Sequence, residues 1–206
     1  MSKSPAAPQQ KRKTPKQSRS QQMRRDLLAG ATRVLHGSGA AGFSTNRVAE
    51  ATGVSIGSLY QYYPNKGALL SDLHAVQATE VFEQLRVVLK DSRLAPRERL
   101  MRVILGAFAA QAAGTEHHTA LRNAGVPNEH ALPMTEFTTH VEHEFSQFFA
   151  EALPKRAAEA PVLAAFTVEV VFGLLGRMAE NPARDWCILA EHSAHLLVAH
   201  AGFDPG

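Results

Sequence analysis

The stretch from Phe43 to Leu70, FSTNRVAEATGVSIGSLYQYYPNKGALL, constrains the fold more than any other part of this chain. Ser44 offers a side-chain oxygen to the free amides of a first helical turn. Val48 and Ala49 then supply an inward face, and Ala49 is small enough for a second helix to cross closely. Thr52 and Gly53 end that helix, glycine suiting the left-handed backbone of a tight turn. Val54 points back inward, and Ser55 caps a second helix of under two turns carrying Ile56, Leu59 and Tyr60. Pro64 cannot continue it, and Asn65 can cap a third. This is the layout of a helix-turn-helix, whose second helix is shaped for the major groove of DNA.

The pattern Thr45, Val48-Ala49, Ala51, Gly53-Val54-Ser55, Gly57-Ser58-Leu59-Tyr60, Tyr62-Tyr63, Lys66 and Leu69 resembles the DNA-binding domain of the TetR family of transcriptional regulators. The likeness covers roughly Arg24 to Leu73, and beyond it only length and helical character agree. Two positions depart from the family pattern. Tyr63 stands where phenylalanine is usual, so a hydroxyl needs a partner if it is buried. Gly67 stands where an acidic residue is common, which forgoes a charge worth roughly 0.3–1 kcal/mol at a helix N-terminus.

Within the motif, each residue type carries its own chemistry. Thr45 and Arg47 open the first helix, where free amides and the positive dipole end favour a phosphate. Ser55, Gly57 and Ser58 open the second; Gly57 has no side chain to hold the helix off a base edge, and Ser58 can donate or accept. Gln61 carries the amide that pairs bidentately with adenine. Tyr60 and Tyr62 can give hydroxyls to phosphates, and Lys66 a charge. Taken singly, Tyr60 also reads as a core tyrosine, Lys66 as a solvated charge and Gln61 as a surface residue. The resemblance implies the DNA-contacting roles.

Charge is divided along the chain. The net +3 conceals eleven Lys/Arg against two acids over residues 1–66, and eleven against seventeen over residues 67–206. A basic front and an acidic rear predict that only the front meets a polyanion. Residues 1–19 hold hardly an apolar side chain and are predicted to be a disordered basic tail, serving either solubility or phosphate contact. Cys187 is alone, so no intramolecular disulfide is expected and a reducing cytoplasm is the simpler setting. No apolar run approaches the ~20 residues of a membrane span, and no apolar stretch follows the basic N-terminus as in a signal peptide.

Apolar periodicity predicts a helix from Ser20 to His36, ended by Gly37, Gly39 and Gly42, with Phe43 re-entering the core. After Asn65 a helix of some 24 residues, ~36 Å long, crosses from the basic to the acidic part. Pro96 opens another, running to about Ala113, and residues 115–133 read as irregular or only briefly helical. Thr135 to Leu153 carries an aromatic stripe; Pro161 to Met178 and a last segment to His200 complete the series. No strand pattern occurs. The expectation is an all-α chain: a three-helix helix-turn-helix DNA-binding domain over residues 20–66, then a larger helical effector-binding and dimerisation domain over residues 67–206.

Ten histidines invite a metal reading. His140 and His143, and likewise His192 and His195, lie three apart on a helical face, while His117 and His118 adjoin Glu116. Zinc accepts such pairs when two face one another. However, HVEHE is not the HExxH of zinc proteases, and no nucleophile elbow, P-loop or thiol cluster occurs. Neither an enzyme nor a cofactor is expected. By resemblance, an effector pocket would lie between the rear helices, with Phe108, Phe137, Val141 and Phe145 as candidate walls. The helices near residues 161–178 and 184–200 combine apolar faces with small residues, and pairing them predicts a homodimer. The reading is a dimeric, DNA-binding transcriptional regulator, a repressor released from a palindromic operator by a small ligand. The alternative is a metal- or small-molecule-binding helical protein whose helix-turn-helix does not read DNA.

Overall fold

Nine α-helices build the described part of the chain, residues 15–126, 134–181 and 183–203 of a computed structural model. They are α1 (Pro15–Gly42), α2 (Thr45–Thr52), α3 (Ile56–Tyr62), α4 (Lys66–Leu89), α5 (Pro96–Ala113), α6 (Thr115–Asn123), α7 (Met134–Ala152), α8 (Ala160–Glu180) and α9 (Cys187–Ala201), with a 3-10 turn at Pro154–Glu159. No strand occurs among the described residues, and the chain is all-α.

Two separate cores organise the helices. The first gathers Leu27, Leu28, Ala31 and Leu35 of α1, Val48 and Ala49 of α2, Leu59 of α3, and Phe43 beneath the turn. It also takes Leu69, Leu70 and Leu73 from α4 and Ala120 and Leu121 from α6, so its packing extends past the expected boundary at residue 66. The motif helices are too short to bury their own faces. Full burial of leucines such as Leu27, Leu59 and Leu69, each worth about 1.5–3 kcal/mol, therefore depends on helices distant in sequence. The second core joins Phe82 and Leu89 of α4 to Leu100, Ile104 and Phe108 of α5, Val141, Phe145 and Phe149 of α7, Leu163 and Val168 of α8, and Leu197 of α9. The long helix α4 is common to both.

Several sequence expectations need correction. Helix α1 begins at Pro15, inside the segment expected as a tail, and residues 1–14 lie outside the described residues. It continues past Gly37 and breaks only at Gly39, whose φ of 63° is the left-handed backbone that glycine adopts freely. The region from residue 115 holds a regular helix, α6, that packs on both α1 and α4, whereas residues 127–133 lie outside the described residues. Finally, Pro154–Glu180 contains an 18-residue window of mean hydropathy 1.8, long and apolar enough to cross a membrane by length and composition. Glu159, Glu169 and Arg177 punctuate that run and hid it from a search for unbroken apolar sequence.

Candidate nucleic-acid interface and internal cavity

The local rules of the motif operate as their residue types require. The Ser44 hydroxyl accepts the Arg47 amide at 3.3 Å, and Gly53 closes α2 at φ 69°, its N–H donating to the Glu50 carbonyl at 3.1 Å. Ser55 accepts the Ser58 amide at 3.1 Å and also meets the Ser58 hydroxyl at 2.9 Å. Asn65 accepts the Ala68 amide at 2.8 Å and so starts α4.

This geometry sorts the candidate contacts by accessibility. Arg47, Ser55, Gly57, Tyr60 and Gln61 are exposed; Thr45, Ser58, Tyr62 and Lys66 are half-buried. Around Gly57 the surface is open, with only the hydroxyl of Ser55 within 4 Å of where a side chain would begin. The Tyr60 and Thr45 hydroxyls lie 3.3 Å apart, tying the start of α2 to α3. Arg47 donates to the Gly42 carbonyl at 3.0 Å, and the Lys66 ammonium sits 5.5 Å from the centre of the Phe43 ring. Both cations are thus held beside the motif by short tethers, with donors remaining for an anion. Tyr62 packs on the first core, whereas Ile56, at the start of α3, is an exposed apolar side chain.

The buried hydroxyl of Tyr63 does find a partner. It donates to Asp72 Oδ2 at 2.5 Å, and Arg24 reaches the same carboxylate with two nitrogens. Burial pushes the Asp72 carboxyl up, but the Arg24 guanidinium and the Tyr63 hydroxyl outweigh it and hold the group below the usual carboxylate range. Burial, reinforced by the Asp72 carboxylate, raises the Tyr63 phenol. This network pins α1, the end of α3 and α4 together. Gly67, the other departure from the family pattern, also has a packing reason: a Cβ there would stand 2.8 Å from Cγ2 of Val126.

Behind the motif a cavity of about 220 Å³ opens between α4, α5, α6, α7 and α8. Phe137 lines it, as do Phe82, Phe172, His74, His117 and His118. The other three pocket candidates, Phe108, Val141 and Phe145, are buried in the second core and do not line it. They share the apolar pattern of Phe137, and only helix packing separates wall from core. His74 stacks on His117 at 5.2 Å between ring centres and meets His118 edge-on at 5.0 Å. Burial lowers His74 to about 3, aided by His118 and His117. Burial likewise lowers His117 and His118 to about 4, with His118 acting on the former and Arg122 on the latter. The three imidazoles are therefore neutral at pH 7. The Leu70 backbone exerts a weak pull on His117, yet neither ring nitrogen of this buried residue has a partner at hydrogen-bond geometry. The adjacency of His117 and His118 was visible in sequence; the approach of His74 was not.

Helix α6 connects cavity and motif. Glu116 accepts the Ala40 amide at 2.8 Å beside the Gly39 break of α1, while the next two residues of α6 face the cavity. Three further histidines are engaged locally: His143 with Gln147 at 2.8 Å, and His192 and His195 donating to the Ile188 and Glu191 carbonyls at 2.8 Å. His140 lies 3.5 Å from Glu83. Among the described residues no three potential metal ligands converge.

Residues 27–73 match the family model described as bacterial regulatory proteins, tetR family. No curated protein matches the chain. Solved structures share its fold. A TetR/AcrR-family transcriptional regulator from Thermobifida fusca superposes with a TM-score of 0.58 at 15% identity, covering 89% of this chain and 99% of that one. The regulator FadR from Bacillus subtilis, in complex with stearoyl-CoA, gives 0.57 at 16% identity, covering 85% and 97%. BioQ with its natural double-stranded DNA operator gives 0.53 at 20% identity, covering 86% and 98%.

Proposed function

We propose that this chain, which belongs to the tetR family of bacterial regulatory proteins through residues 27–73, is a cytoplasmic, non-enzymatic repressor that binds a palindromic operator as a homodimer and leaves it when a small ligand fills the cavity. One observation carries the reading: α4 and α6 contribute both to the core on which α3 presents its exposed surface and to the walls of an apolar cavity. Gln61 is the base reader, Gly57 allows close approach, and Ser55 and Ser58 lie at the groove edge. Thr45, Arg47, Tyr60, Tyr62 and Lys66 hold phosphates and set the docking angle. The complexes of BioQ with DNA and of FadR with stearoyl-CoA are precedents on this fold for both halves of the mechanism.

A second copy doubles the readout, since one short helix contacts few bases. Its supporting surface is the outer side of α8 and α9, where Val162, Phe166, Ile188 and Leu196 are exposed and Gly173 has nothing within 4 Å. Leu163 of α8 is buried in the chain's own core, and Val170 and Leu174 are half-buried against that core. A two-fold pairing would bury this apolar surface. Ligand binding would move α4 and α6, change the spacing of the two recognition helices and lower operator affinity.

The test is a binding titration of the full chain against the DNA flanking its own gene, beside a scrambled duplex, at several salt concentrations. Preference for the native fragment by ~10³ or more, with a steep salt slope, is expected. Gln61→Ala should relax sequence preference, and Lys66→Ala should weaken both duplexes and reduce the salt slope by about one. Absence of binding to any duplex at low salt would overturn the reading.

A further inference from the structure

We infer that His192 and His195 form half of a zinc site, which a second copy of the chain completes across paired α9 helices. The inference rests on the two-fold pairing proposed above and adds to it a metal ion that joins the two copies. Three observations lead to it.

The first is the tautomer of the two rings. His192 and His195 each place Nδ1 2.8 Å from a carbonyl oxygen one turn back, those of Ile188 and Glu191. A carbonyl only accepts, so in both rings Nδ1 carries the proton. In a neutral imidazole this leaves Nε2 with a bare lone pair. Metal-ligating histidines have this arrangement, one ring nitrogen donating to a carbonyl or carboxylate and the other on the ion. Both side chains are exposed, and among the described residues nothing occupies either Nε2.

The second is the contrast with the remaining surface histidines. The equally spaced pair on α7 is already engaged: His143 Nε2 meets Gln147 at 2.8 Å, and His140 Nε2 lies 3.5 Å from Glu83. His200, near the end of α9, rests against the Phe166 ring at 4.6 Å between centres. Among the described residues, only positions 192 and 195 present two free imidazole nitrogens on one exposed helical face.

The third is placement. Ile188, His192, His195, Leu196 and Ala199 are all exposed and follow the spacing of a single helical stripe. Residues three apart on a helix have Cβ atoms about 5–6 Å apart, close enough for two imidazoles to share one ion, and helical bundles hold metals with ligands at this spacing. One chain offers two ligands where structural zinc takes four, in keeping with the lack of any three converging ligands within the described chain. An antiparallel crossing with its two-fold axis between positions 192 and 195 sets His192 of each copy beside His195 of the other. In the same register Ile188 meets Ala199. Four imidazoles then surround one point, a donor set suited to zinc, and exposed Glu191 brings negative charge to the ion from each copy. Because a single copy cannot complete the site, bound zinc favours the dimer.

The test takes the untagged full chain, stripped with EDTA, and titrates it with zinc chloride. Sedimentation follows the mass, and elemental analysis of the separated protein counts bound metal. One zinc per two chains is expected, with the dimer dissociation constant lowered about 100-fold when free zinc is ~100 times its Kd for the site. His192→Ala and His195→Ala, exposed changes to a residue that favours helix, should each lose both effects, and His143→Ala should keep both. Where the metal-free dimer is too tight for its mass to change, stoichiometry and the variants decide. No retained zinc, one zinc per chain without a change in mass, or undiminished uptake by His192→Ala would overturn the proposal. The EDTA arm reports pairing by itself. A metal-free dimer that takes up no zinc overturns the site and leaves pairing standing, whereas a chain that is monomeric with and without zinc overturns both.

Discussion

Gly30→Ala is expected to destabilise this protein, against the usual rule for helices. In the interior of a helix, alanine is normally better than glycine by about 1 kcal/mol. Gly30, however, lies in α1 where α2 crosses it, and a Cβ there would stand 2.2 Å from Cγ2 of Thr52. Ordinary van der Waals contact begins near 3.4 Å, so one helix or the Thr52 side chain must move by more than an ångström. The side chain is not free to swing, because its hydroxyl donates to the Val48 carbonyl at 2.8 Å and the Ala49 carbonyl at 3.1 Å. Overpacking of this kind costs about 1–3 kcal/mol, which outweighs the helix gain and leaves a net loss of about 1 kcal/mol. At ~2–4 °C per kcal/mol for a chain of this size, the melting temperature should fall by a few degrees. Thr52→Ser removes the obstructing methyl and keeps the hydroxyl. The double variant Gly30→Ala/Thr52→Ser should therefore melt above Gly30→Ala, a coupling that a thermodynamic cycle measures directly. A higher melting temperature for Gly30→Ala alone, or strict additivity of the two changes, would refute the packing argument.

Three further expectations follow from the network, the cavity and the outer helices. Because the folded chain holds His74, His117 and His118 well below the ordinary 6.5, the unfolded chain binds more protons as pH falls below 6.5. Stability should be insensitive to these groups above that pH and drop by on the order of 2 kcal/mol per histidine by pH 5. Urea midpoints between pH 7.5 and 5 measure this, and a flat profile over that window would contradict neutral burial. Tyr63→Phe removes a hydrogen bond to Asp72 while leaving Arg24 in place, so a loss of about 1 kcal/mol in denaturant titration is expected; no loss would mean the hydroxyl is idle. If the chain pairs through α8 and α9 as proposed, Leu196→Glu, on the exposed apolar side of α9, should lower the mass in light scattering from dimer to monomer with little change in helicity, and an unchanged mass would refute pairing through this face.

Local chemistry was legible in sequence wherever a single turn decides the outcome. The caps at Ser44, Ser55 and Asn65, the left-handed Gly53 and the start of α5 at Pro96 depend only on hydrogen bonds and dihedrals within a few residues. The helical motif and its resemblance to a DNA-reading family followed from the same short-range pattern. Tertiary structure alone decided what needs two distant segments. Gly67 reads in sequence as a forgone helix charge, yet its reason is Val126, brought against it by α6. Phe137 and Phe145 share one apolar stripe, and only the path of α4 and α8 makes the first a cavity wall and the second core. His74 is 43 residues from His117; no periodicity links them, and their stacking exists because α6 folds back over α4. Periodicity tells a side chain to face inward, but whether it meets another side chain or a void depends on how the helices cross.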